Sequence, residues 1–119
     1  MRTKRTNPDF LNGVPELLML RLLSQRPMHG YELVQALRQA SGEVLDFGEG
    51  CVYPILHRLE ANRLLKSHRD IVGGRSRLVY SVTVRGEKRL AESISLWKGI
   101  TEAISSVLMG AKHGQVQVA

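Results

Sequence analysis

Residues 50–65 read Gly-Cys-Val-Tyr-Pro-Ile-Leu-His-Arg-Leu-Glu-Ala-Asn-Arg-Leu-Leu, and the fold turns on how this stretch is read. Val52, Ile55, Leu56 and Leu59 recur at i, i+3, i+4 and i+7, the spacing of one buried stripe on an α-helix. Tyr53, Pro54, His57, Arg58 and Ala61 fall largely on the other side. Proline is tolerated in the first turn of a helix, where its missing N–H would have no partner, so Pro54 predicts a helix start near Gly50–Val52. The outward face then offers an aromatic hydroxyl, an imidazole and a guanidinium. That set is poor for a core and well suited to phosphates and base edges.

Working upstream, Pro15–Gln25 reads as a first helix. Pro15 suits the first helical position and Glu16 the first turn. Leu17, Leu18, Leu20, Leu22 and Leu23 are too many for a single stripe, so this helix is expected to be buried on more than one side. Arg26–Gly30 is a break, with His29 expected to lie in the loop or cap the next helix. Tyr31–Ala40 reads as helix two, with Leu33, Val34 and Leu37 inward and Tyr31 expected as a core aromatic. Ser41–Glu49 is a loop. Three short helices with a break ahead of the third match a helix-turn-helix.

Downstream, the period changes. Leu65–Val72 and Ser76–Val82 read as strands around Gly73-Gly74, a hairpin signal. Arg69, Arg75 and Arg77 gather at its tip and flanks. A basic hairpin after a helix-turn-helix is the wing of a winged helix, placed to reach DNA phosphates. Thr83–Met109 is the longest helical segment. Leu90, Ile94, Trp97, Thr101, Ile104 and Leu108 form one stripe, and Leu96, Ile100, Ala103 and Val107 a second. One small domain cannot cover both, so a second copy of the chain is expected against this helix. Gly110 follows the last periodic residue and is expected to end the helix.

The motifs taken together resemble the PadR family of bacterial transcriptional regulators. The resemblance runs through Pro27-Met28-His29-Gly30-Tyr31-Glu32-Leu33, then Val52–Glu60, then Gly73-Gly74-Arg75-Ser76-Arg77 with Tyr80, and Val82–Gly86. Each piece alone is weak; four in order at matching spacing are strong. The resemblance implies an α+β, mainly α, winged helix-turn-helix with one long C-terminal dimerisation helix, the short form of the family. It implies a homodimeric repressor acting on an inverted-repeat operator and released by a small-molecule effector. Tyr53, Pro54, His57, Arg58, Arg75 and Arg77 would contact DNA, and Leu90, Ile94, Trp97, Ile104 and Leu108 would pair the subunits. In short PadR-like regulators a tryptophan placed like Trp97 lines a pore at the dimer interface and stacks on flat aromatic molecules. Here Ser93, Ile94, Ile100 and Thr101 would surround it. Read from the residues alone, Trp97 serves equally well as a packed aromatic of the dimer core. Cys51 and Glu49 depart from the family's usual small polar residues at the start of the recognition helix, which bears on base preference. Cys51 is read as a small structural side chain, with a redox role as the alternative.

Composition agrees with a nucleic-acid partner. The chain has 119 residues with formal charge +6 and a single cysteine, so no internal disulfide forms. No signal peptide is evident and no apolar run approaches the roughly 20 residues of a membrane span, so a cytoplasmic protein is expected. The organisation expected is a basic arm over 1–12, a DNA-binding domain over 13–82, a dimerisation helix over 83–110 and a disordered tail over 111–119. No acid/base pair, nucleophile signature or phosphate-cradling glycine loop supports an enzyme. No cofactor is expected. Cys51, His29, His57 and His68 offer ligand atoms, but none are paired at helical spacing, so no metal site is assigned. A metal-sensing repressor and a winged-helix protein-interaction module remain the alternatives.

Overall fold

A computed structural model describes residues 13–110; the expected basic arm and tail lie outside the described residues. Helix α1 spans Val14–Gln25, strand β1 Met28–His29, helix α2 Gly30–Ala40 and helix α3 Glu49–Ala61. Strands β2 (Leu65–Val72) and β3 (Arg75–Val82) form the wing, and helix α4 runs over Val84–Met109. The sheet is antiparallel in the order β1-β3-β2. Four helices and this small sheet make the winged helix that the sequence predicts.

The short strand β1 is new. The stretch expected as a plain break pairs Met28 with Tyr80 and His29 with Val79. Two residues carry too little pattern to register as a strand; the pairing is created by the neighbouring β3. His29 then caps α2, its Nδ1 accepting from the Glu32 N–H at 3.3 Å. In the wing, Leu65 pairs with Val82 and Val72 with Arg75. Gly73 and Gly74 both adopt positive φ, 59° and 79°, the turn geometry that matches the twist of paired strands.

The core is mostly aliphatic. Met19, Leu20, Leu33, Val52, Leu56, Leu59, Leu64 and Leu65 are almost fully enclosed, with Phe47 and Tyr80 the buried aromatics. Helix α1 buries one broad face through Pro15, Met19, Leu20 and Leu23, while Leu17, Leu18 and Leu22 around it are half-buried against the core. Three placements differ from expectation. Tyr31 is 48% exposed rather than in the core, because the core side of α2 is already filled by Leu33, Val34 and Leu37. Ile55 is only half-buried, at the margin of its stripe. Leu90, expected on the pairing stripe of α4, is 4% exposed and closes the core of its own domain.

The join between wing and α4 is tight. The Thr83 N–H donates to the Leu64 carbonyl at 3.1 Å, and the Thr83 hydroxyl donates to the Arg63 carbonyl at 2.8 Å. That hydroxyl oxygen also accepts from the Gly86 N–H at 3.0 Å, capping α4. A Cβ on Gly86 would come within 2.2 Å of the Leu64 carbonyl oxygen, so only glycine lets α4 dock here.

Candidate nucleic-acid interface

Helix α3 begins at Glu49, slightly earlier than expected, and Pro54 is its sixth residue, inside the helix rather than in the first turn. The bond Pro54 cannot donate would have gone to the Gly50 carbonyl. Gly50 is an exposed residue at the start of the helix, where a lost backbone bond costs less than in the core. The inward face carries Val52, Leu56 and Leu59, all buried. Pro54, His57 and Arg58 are exposed.

Tyr53 sits between these faces. It is half-buried and packs on the core, and a Cβ on Gly30 would meet its ring and hydroxyl at 2.5–2.6 Å. The first residue of α2 is thus the floor on which the Tyr53 ring lies. His57 follows one turn on, its ring 6.5 Å from that of Tyr53 and tilted by 52°. Together they form a continuous polar-aromatic edge along α3.

Arg58 is positioned differently from the other expected DNA contacts. Its Nη2 donates to Glu16 Oε1 on α1 at 3.0 Å. Reaching a phosphate would mean exchanging that partner. On the wing, Arg69 and Arg75 are exposed and Arg77 is half-buried. Arg69 Nη1 donates to Ser76 Oγ across the hairpin at 3.5 Å. Ile71, near the wing tip, is 68% exposed. Its position was hidden in the sequence because an apolar residue in a strand reads as inward.

The wing is fastened to α3 through its base. Ser67 Oγ donates to Glu60 Oε2 at 2.6 Å. The neighbouring Tyr80 phenol is pushed up from its ordinary pKa, chiefly by burial and further by the Glu60 carboxylate and Tyr53, so it stays protonated at neutral pH. Cys51, in the first turn of α3, is partly buried. Burial pushes its thiol up, and Arg58 offsets this only in part. Cys51 packs at the margin of the core. Among the described residues no three His, Cys, Asp or Glu side chains gather as a metal site. No helix among them is long and apolar enough to cross a membrane.

Trp97 lies on the outer part of α4 and is 40% exposed. The Thr101 hydroxyl donates to its carbonyl. Ile100 and Thr101 are exposed beside it, while Ser93 and Ile94 are half-buried. Ile94 still touches the domain core. Beyond it, Leu96, Ile100, Ile104, Val107 and Leu108 are all exposed.

A helix-turn-helix whose third helix lies at the surface, flanked by an arginine-bearing hairpin, defines a winged-helix DNA-binding regulator. Residues 19–92 match the transcriptional regulator PadR-like family. A transcriptional regulator of Mycobacterium tuberculosis, Rv3488, is 34% identical over 105 residues, 88% of this chain and 92% of that protein. A transcriptional regulator from Clostridium thermocellum superposes with a TM-score of 0.76 at 26% identity, covering 82% of this chain and 96% of its own. A PadR family transcriptional regulator from Eggerthella lenta gives 0.73 at 28% identity, covering 84% and 86%. The chain belongs to the PadR-like family of transcriptional regulators. The members of that family are regulators of transcription rather than enzymes.

Proposed function

We propose that this regulator is a homodimeric repressor that binds an inverted-repeat operator in the cytoplasm and is released by a small-molecule effector. The observation that carries the dimer is the outer half of α4. Leu96 is 67% exposed, Val107 82% and Leu108 76%, an apolar face too large to leave in water on a small protein. Two-fold pairing along this face sets two α3 helices side by side, the arrangement that reads an inverted repeat. Tyr53, Pro54 and His57 enter the major groove, and Arg75 and Arg77 meet phosphates or the minor groove. Arg58 joins them if DNA draws it from Glu16. Ile94, Trp97, Ile104 and Leu108 pair the subunits. Trp97, with Ser93, Ile94, Ile100 and Thr101, receives a planar aromatic effector between the helices.

The test is a salt titration of binding to a duplex selected by the purified protein from random DNA. Log affinity should fall with log salt at about −0.9 per phosphate neutralised. Arg75→Ala should weaken binding to all sequences and flatten that slope. His57→Ala should discriminate among operator variants, by about 1–3 kcal/mol at a contacted base pair. A protein-interaction module would show neither effect.

A further inference from the structure

One carboxylate outside the reading face connects three helices. Glu16, in the first turn of α1, accepts from Arg58 of α3 on Oε1 at 3.0 Å and from Arg89 of α4 on Oε2 at 3.5 Å. Arg58 lies in the last turn of α3, and Arg89 in the second turn of α4. The backbone of α3 packs mainly against α2 and β2, while that of α1 packs against α4. The aliphatic side chains between these two groups attract without direction and do not by themselves fix an angle. A charge-assisted hydrogen bond does have direction. With one oxygen given to each guanidinium, Glu16 links the end of α3 to the start of α4.

All three side chains are partly exposed, 25% for Glu16, 55% for Arg58 and 47% for Arg89. Ion pairs this wet contribute little to stability, so the triad is better suited to geometry than to holding the fold together. We propose that Glu16 is a positioning residue that couples the heading of the recognition helix to that of α4. A change in how two α4 helices pack is then passed through α1 to both reading helices. This inference rests on the dimeric operator-binding reading above.

The experiment compares wild type, Glu16→Gln, Arg89→Gln and the double variant on two duplexes. One is selected by the wild-type protein from random DNA; the other is a scrambled duplex of equal length and composition. The quantity read is the ratio of the two affinities. Each single change should lower the ratio by about three- to ten-fold, the size of coupling carried by residues that touch neither ligand. The double variant should be no worse than Glu16→Gln, because both remove the same link. Charge alone predicts something different. Removing the acid would tighten both duplexes together, removing the base would weaken both together, and the ratio would not move. That result overturns the proposal, as does a double variant whose losses simply add. Arg89→Gln alters an exposed side chain and guards against misreading a folding defect in Glu16→Gln. A wild-type protein that shows no preference for its selected duplex overturns the operator reading and this inference together.

Discussion

Gly30 and Tyr53 show how one missing side chain sets an aromatic ring of α3 in place. The Tyr53 ring occupies the space a Gly30 Cβ would need, at 2.5 Å. Gly30→Ala should therefore push the ring outward and destabilise the protein by about 1–3 kcal/mol, measured by urea unfolding. Tyr53→Ala should relieve that clash, so the double variant should be clearly more stable than the sum of the singles predicts. Additive losses would place the ring elsewhere. Cys51 allows a second test at this scale. Its thiol is pushed up by burial, so the neutral form is favoured further above neutral pH than for an ordinary cysteine. Alkylation by iodoacetamide at pH 8 should be slower in the native protein than after denaturation, and should accelerate as pH rises. Rapid native alkylation at pH 7 would restore the redox reading.

At the scale of elements, α4 is anchored at its start and free at its end. Thr83 caps it, Gly86 presses on the Leu64 carbonyl and Leu90 closes the core. Gly86→Ala should unfold the protein or cost at least the upper end of the roughly 1–3 kcal/mol of ordinary overpacking, because the obstacle is backbone and cannot rotate away. A thermal unfolding midpoint equal to that of wild type would contradict this docking. Glycine is ordinarily a weak point in a helix. At Gly86 its bare Cα is what lets wing and helix meet.

For the whole molecule, the exposed apolar half of α4 is where the proposed dimer is tested. Ile100→Glu should yield monomers in sedimentation equilibrium at micromolar concentration, with circular dichroism showing the winged helix intact. Truncation just ahead of Leu96 should do the same. Cutting nearer to Gly86 would also remove Leu90 and damage the core. If the proposed switch operates, planar, preferably cationic aromatics should quench Trp97 fluorescence and lower operator affinity, because two ligands coupled through one protein affect each other reciprocally. Trp97→Ala should abolish both effects and spare the dimer. Quenching without a change in DNA affinity would keep the pocket and reject the switch.

The sequence alone determined the order of the four helices and the wing, the winged-helix class and the family. Periodicity, the paired glycines of the wing and the threonine and glycine bounding α4 are local signals, and each is legible within a few residues. What only the tertiary structure decided is which partner each side chain meets. Strand β1 exists because β3 lies beside it, Tyr31 is exposed because its neighbours fill the core, and Leu90 is enclosed by its own domain. Pro54 lies inside α3, and the bond it cannot donate is one to Gly50, an exposed residue at the start of the helix. Glu16 meets Arg58 and Arg89 across 42 and 73 residues of chain. Contacts so distant leave no period or spacing in a sequence, because they are set by how helices pack and not by how any one of them forms.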